Sequence, residues 1–140
     1  MMWKNADGFY EIASGANLAW LAQEVNGVYN SRMQVILTKD IDLGEEQWTP
    51  IGSSSSRTFK GVFDGNGHTI SGLFIDSESS YQGLFGYVSE AEIKNLTISG
   101  SVKGGDYTAG LAAQTGANTV IENCLSSVNV SGKGHVGGLV

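Results

Sequence analysis

Gly61-Val62-Phe63-Asp64-Gly65-Asn66-Gly67-His68-Thr69-Ile70-Ser71-Gly72-Leu73-Phe74-Ile75 sets apolar residues between glycine turns, and the chain goes on to repeat that pattern. Gly61-Val62-Phe63 reappears as Gly83-Leu84-Phe85, Gly110-Leu111-Ala112 and Gly138-Leu139-Val140, at successive offsets of 22, 27 and 28 residues. The second half of the unit follows suit. Ile70, Gly72, Leu73 and Ile75 become Ile93, Asn95, Leu96 and Ile98, then Ile121, Asn123, Cys124 and Ser126. A unit of this size cannot bury its own apolar face, so a period in the twenties predicts units that stack. The expected fold is all-β: a right-handed parallel β-helix of about four coils, with handedness set by the crossover rule for parallel strands.

Alternation supports the stack. Leu96, Ile98, Gly100 and Val102 alternate with Thr97, Ser99 and Ser101. Cys124, Ser126, Val128 and Val130 alternate with Leu125, Ser127 and Asn129, 28 residues further on. In-register pairing puts like upon like at a spacing of about 4.8 Å, and Ser126 needs a backbone partner for its hydroxyl. Ile93 and Leu96 are three residues apart, so a straight strand would face them oppositely. A corner at Lys94-Asn95 turns both inward, and Asn tolerates the left-handed backbone such a corner uses. Asn95 and Asn123, one repeat apart, are placed to stack as an amide ladder. Gly72 takes the same place in the preceding unit.

Residues 1–34 form one segment and residues 35–140 the repeats. Residues 1–13, with Trp3, Phe9, Tyr10 and Ile12, read as an extended lead-in. Leu18, Leu21, Ala22 and Val25 make one helical stripe near residues 15–26. Ser14 caps its start, and Asn26 or Gly27 closes it in a left-handed conformation. Its use is to cap the first apolar face of the stack. Leu37, Lys39, Ile41 and Leu43 follow the period of a half-buried strand. Trp48-Thr49-Pro50-Ile51-Gly52 is a short extended piece with two apolar anchors, and the serine run from Ser53 to Arg57 is a tolerated loop insertion. The expected core is Leu18, Leu21, Val25, Ile41, Leu43, Phe63, Ile70, Leu73, Ile75, Leu84, Phe85, Ile93, Leu96, Ile98, Leu111, Ile121, Cys124, Val128 and Val130. Gly137-Gly138-Leu139-Val140 opens another unit without a cap. The stack is therefore expected to be incomplete, its last coil inclined to disorder or to end-to-end self-association.

Trp48-Thr-Pro-Ile-Gly52, Phe59-x-Gly-x-Phe-Asp-Gly-Asn-Gly-His-Thr-Ile-x-Gly-Leu73, Gly83-Leu-Phe-Gly86, Ile93-x-Asn-Leu96 and Gly110-Leu111 together resemble the GLUG repeat family, over about residues 35–140. The helix before them resembles the short leucine-rich helix that often precedes such repeats. Gly110-Leu111-Ala112-Ala113 departs from the pattern, lacking the Phe and the second Gly. The resemblance implies a non-catalytic extracellular module of a larger bacterial surface or secreted protein, serving as stalk, adhesin or host- or glycan-binding region. The alternative it implies is the N-terminal non-catalytic region of a secreted immunoglobulin-A-cleaving metallopeptidase. It carries over no catalytic residue.

Composition agrees with a surface built from neutral polar residues. Of 140 residues 20 are Gly, about twice the usual ~7%. Charged residues are 16% and the net charge is −6. A basic face for nucleic acid or anionic membrane is missing. No stretch approaches the roughly 18 apolar residues of a membrane-spanning helix. Met1-Met2-Trp3-Lys4-Asn5 lacks a signal core and reads as a cut in a longer chain, so it does not bear on where the parent protein resides. Cys124, the single cysteine, has no internal disulfide partner and reads as a small core residue.

His68 and His135 lack the His-Glu-x-x-His spacing of a zinc peptidase. His68 and Asp64 lack a nucleophile elbow. Asp64-Gly65-Asn66-Gly67 misses the later ligands of an EF-hand, leaving a calcium site of another type near Asp64 as an open alternative. Asp40, Asp42, Asp64 and Asp76 form a carboxylate face of the kind a polysaccharide lyase or hydrolase would use, Asp40 and Asp42 sharing the outward side of one strand. Only Arg32 and Arg57, both in loops, supply guanidinium. No catalytic residue, metal or cofactor is expected. The sequons Asn95-Leu96-Thr97 and Asn129-Val130-Ser131 have structural uses instead.

Overall fold

The structure, a computed structural model, describes residues 4–28 and 30–140; Trp3 lies outside them. The chain is mostly β with one short α-helix, and its largest sheet is parallel and curls into a half-barrel. The elements in chain order are β1 (Tyr10–Ile12), α1 (Gly15–Gln23), β2 (Gln34–Leu37), β3 (Ile41–Asp42), β4 (Val62–Asp64), β5 (Thr69–Asp76), β6 (Phe85–Val88), β7 (Glu92–Lys103), β8 (Thr108–Ala109), β9 (Ala112–Thr115), β10 (Val120–Ser131) and β11 (Val136–Gly137). The large sheet runs β1-β2-β4-β7-β5-β3, with β10 on the other edge of β7. Two small sheets, β6-β9 and β8-β11, complete the set. Every pairing between these strands is parallel.

The expected register between the last two repeats is present. Leu96 pairs with Cys124, Ile98 with Ser126, Gly100 with Val128 and Val102 with Val130. The Ser126 hydroxyl finds its backbone partner by accepting from the Val128 amide at 3.3 Å. Between Ile93 and Leu96, Asn95 adopts φ 56° and Asn123 repeats the corner at φ 52°. Both apolar neighbours of the corner therefore point inward, Ile93 fully buried and Leu96 2% exposed.

The earlier register differs from expectation. Phe63, not Ile70, pairs with Ile93, while Ile70 pairs with Ile98 and Leu73 with Gly100. The turn at Gly65–Gly67 makes the corner that matches Asn95: Gly65 and Gly67 donate to the carbonyls of Lys94 and Asn95. Gly72 instead sits in a bulge between Ile70 and Leu73 that shifts the pairing. Likewise Gly61-Val62-Phe63 is not in the row of Gly83-Leu84-Phe85. Phe85 stacks between Ile51 and Ala112. The serine run explains the slip. Ile51 and Phe59 are eight residues apart, yet their partners Phe85 and Val88 are three apart. The five additional residues loop out around Ser53–Arg57, where Arg57 donates back to the Ser54 carbonyl at 3.0 Å.

The capping helix is shorter than expected and ends differently. Ser14 accepts from the Asn17 amide at 3.1 Å, and Leu18, Leu21 and Ala22 are buried. After Gln23 the chain widens into a π-helical turn, Glu24–Val28, that buries Val25. Neither Asn26 nor Gly27 takes a left-handed backbone. Asn26 is committed elsewhere: its amide donates to the Pro50 carbonyl, and its oxygen accepts from Gly52 and Ser53. One side chain thus pins the helix end to the turn after Trp48.

The lead-in contains a true strand, since β1 pairs with β2. The run from Leu37 to Leu43 is two strands, not one, with Thr38–Asp40 turning between them. One continuous core extends from Ile12 to Ala112. Trp48 and Ile51 anchor it as expected. Met33, Val35, Leu37, Phe59, Val88 and Val102 join it beyond the expected set. Ile121, Cys124, Val128 and Val130 are only half-buried, because among the described residues β10 is paired with β7 on one edge alone.

Candidate functional site

Left-handed corners recur along the chain: at Asn66, Asn95 and Asn123, at Glu90 and Asn118, and at Tyr81 and Tyr107. The side chains of Asn95 and Asn123, and those of Tyr81 and Tyr107, stand one above the other, so the first and third sets become chemical stripes.

The first stripe is a ladder of hydrogen bonds. Asn123 donates through Nδ2 to Asn95 Oδ1 at 2.8 Å, and Asn95 donates to Asp64 Oδ1 at 3.2 Å. The Asn95–Asn123 pair was legible as a repeat; its continuation to Asp64 was not. Replacing Asn95 with Ala is expected to lower stability by about 1–3 kcal/mol, through two lost hydrogen bonds and a strained backbone. Asn95→Gly should recover the backbone part, and Asn123→Ala, at the end of the ladder, should cost less. Urea unfolding of the three variants checks the order.

The third stripe is aromatic and was missed in the sequence. Tyr87 and Tyr81 stack with centroids 4.5 Å apart, Tyr81 and Tyr107 at 4.9 Å, and Tyr107 and His135 at 4.3 Å. The ring planes of the last two pairs are within 4° of parallel. Tyr81 and Tyr107 hold φ of 62° and 55°, unusual for bulky residues. The signal in the sequence is an aromatic ring two or three positions before Gly83-Leu84, Gly110-Leu111 and Gly138-Leu139. Burial pushes the Tyr87 hydroxyl above its ordinary pKa, with Tyr81 adding to the effect. The His135 side chain, 69% exposed, ends the column.

Two carboxylate–imidazole pairs brace the outer turns. Asp106 Oδ1 accepts from His135 Nδ1 at 3.0 Å, from the His135 amide at 2.9 Å and from the Tyr107 amide at 3.1 Å. Asp40 Oδ1 meets His68 Nδ1 at 3.1 Å and accepts from the Thr69 amide at 3.0 Å. These bonds favour the ionised form, so both carboxyls lie below their usual range: Asp106 chiefly through the His135 side chain, Asp40 chiefly through the Thr69 amide. A depressed folded-state pKa contributes stability above the unfolded value and loses it as pH falls. Stability should therefore decline below pH of about 4. Asp106→Asn or Asp40→Asn should flatten that decline in a melting-temperature series.

The four expected carboxylates do not converge. Asp40 sits in the turn between β2 and β3, not beside Asp42 on a shared strand face, because its oxygen is drawn to His68 and Thr69. Asp42 caps the Gly44 amide at 2.8 Å. Asp64 accepts from the Asn66 amide at 2.8 Å as well as from Asn95. The Asp76 amide is held by Gln47 at 3.1 Å. Among the described residues no three His, Cys, Asp or Glu side chains gather where they could hold a metal ion. Among the described residues no helix is long and apolar enough to cross a membrane. An apolar cleft of about 440 Å³ lies between α1 and residues 47–49, lined by Ala19, Ala22, Gln23, Asn26 and Trp48.

The chain is similar to Halomucin of Haloquadratum walsbyi, with 35% identity over 146 aligned residues that cover 96% of this chain and 2% of that protein. It is also similar to a protein of Evansella cellulosilytica provisionally named a Gly-rich membrane protein, with 34% identity over 122 residues that cover 81% of this chain and 14% of the relative. The chain therefore spans a small part of the length of each. No family model matches it. No solved structure matches it.

Proposed function

We propose that this chain is a non-catalytic repeat module of a larger surface or secreted protein, a GLUG-type right-handed parallel β-helix of about four turns that serves as a stalk or adhesive face. The observation that carries the reading is the use made of its polar groups. Asp40, Asp42, Asp64 and Asp106 each accept backbone amides, and the Asn and Tyr columns tie one repeat to the next. Groups so engaged hold a scaffold together and are not poised for proton transfer. The outward rows of β7 and β10 are mainly Ser, Thr and Asn, a hydrated surface of low charge suited to a neutral partner such as a glycan. The names of the two relatives support a place at the cell surface or membrane, and the small share of each that is matched supports a part in a long protein.

The test is incubation of the purified chain with a panel of polysaccharides, assayed for new reducing ends and for unsaturated products. No turnover is expected with any of them. Turnover that disappears in Asp64→Asn would overturn the non-catalytic reading.

A further inference from the structure

Tyr87, Tyr81 and Tyr107 stand in one stack, and the two from successive repeats face each other in parallel. Tyr81 and Tyr107 lie 4.9 Å apart between centroids, with ring planes 2° from parallel. Their backbones are stacked as well. The Tyr81 amide donates to the Asp106 carbonyl at 3.0 Å, and the Gln82 amide to the Tyr107 carbonyl at 3.2 Å. Both residues hold a left-handed φ, 62° and 55°. The rings therefore leave the backbone in the same direction, with their hydroxyl ends on the same side. Both are half-buried, so part of each ring reaches solvent.

This is the arrangement that phenol coupling needs. Loss of one electron and the hydroxyl proton turns a tyrosine into a neutral phenoxyl radical, with spin on the ring carbons next to the C–O carbon. Two such carbons bond through p orbitals that stand normal to the rings, so parallel facing rings are already oriented for it. One C–C bond forms between a Cε of each ring. The hydrogen on each of those carbons is then lost to solvent while each oxygen regains a proton, which restores both aromatic rings and both hydroxyls. In sum the pair gives up two electrons and two protons. Hydrogen peroxide, acting through a peroxidase, takes both and becomes two waters.

The neighbours compete poorly. Tyr87 is tilted by 27° to Tyr81. Its backbone is held on both sides, its amide donating to the Gly52 carbonyl at 2.9 Å and its carbonyl accepting from the Phe59 amide at 3.0 Å. Tyr10 packs against Trp20, away from the stack.

We propose that Tyr81 and Tyr107 are an oxidative modification site, where a peroxidase with hydrogen peroxide forms a dityrosine bond that staples two successive repeats. The inference rests on the ring stack and does not depend on the surface role proposed above. Such a bond ties positions 81 and 107 together in the unfolded chain and so restricts it, as a disulfide does.

The test is treatment of the dilute 140-residue chain with a haem peroxidase and limiting hydrogen peroxide. The main product should be a monomer lighter by two hydrogens, with dityrosine fluorescence, a raised urea midpoint and fragment masses that join the peptides of Tyr81 and Tyr107. Tyr107→Phe keeps the ring and removes the phenol, and should lower the intrachain yield by roughly tenfold or more, the loss expected when an oriented partner is removed. Tyr10→Phe should leave the yield unchanged. In urea the preference for this pair should vanish. Absence of an intrachain product overturns the proposal, as does a main bond between Tyr81 and Tyr87. Equal yield from Tyr107→Phe, or the same preference in the unfolded chain, overturns it too.

Discussion

Phe85→Ala is expected to destabilise the chain by about 3–5 kcal/mol, the range for emptying a fully buried aromatic site. Phe85 is fully buried and lies at the meeting point of three phenylalanines. Its ring centroid is 5.3 Å from that of Phe59 at 44°, and 5.3 Å from that of Phe63 at 89°, an edge-to-face contact. Each such pair adds about 0.5–1.5 kcal/mol beyond area burial. Ala112, its partner on β9, is too small to fill the space left behind. A native domain holds about 5–15 kcal/mol in total, so the variant should lose a large share of its stability. Phe85→Leu, which keeps most of the volume, should cost far less. Equal losses in urea unfolding for the two variants would contradict this, showing that retained side-chain volume rescues nothing.

Gly100→Ala should be nearly as damaging, for a backbone reason. Gly100 holds φ +145°, a conformation that L side chains rarely adopt. A Cβ placed there would lie 2.1 Å from the Leu73 carbonyl oxygen and 2.7 Å from the Leu73 nitrogen, and neither can move without breaking the β5–β7 register. Strain of about 1–3 kcal/mol and overpacking of about 1–3 kcal/mol act together. Gly27→Ala is the control. Nothing lies within 4 Å of its added Cβ, and its φ is not in the left-handed region. That change should be neutral or slightly stabilising in the same unfolding assay.

The parallel pairing of β7 with β10 was legible because no insertion separates the two repeats. The alternation of Leu96, Ile98 and Val102 with polar residues recurs 28 positions later and pairs as read. The earlier repeats were harder to align. Five additional residues around Ser53–Arg57 and the bulge at Ser71-Gly72 change the spacing without changing the motif, so Gly61-Val62-Phe63 resembled Gly83-Leu84-Phe85 while occupying a different row. The helix end departs from the expected left-handed close because Asn26 bonds to residues 50–53, a contact that local capping rules do not see. Asp64 was counted among carboxylates, though its oxygen ends the asparagine ladder. The Tyr81, Tyr87, Tyr107 and His135 column escaped notice because rings at unequal spacings meet only once the corners are placed.

The central claim is that successive repeats lie parallel and in register, and one cross-linking measurement tests it directly. Thr97 and Leu125 are outward-facing partners on β7 and β10. In a Cys124→Ala background, Thr97→Cys with Leu125→Cys should oxidise rapidly to an intramolecular disulfide, read by mass spectrometry as the loss of two hydrogens from the monomer. Thr97→Cys with Ser127→Cys, two residues out of register, should stay reduced within the monomer under the same conditions. Rapid intramolecular closure of the second pair, with the first left open, would contradict the parallel register and with it the stacked-repeat account of this chain.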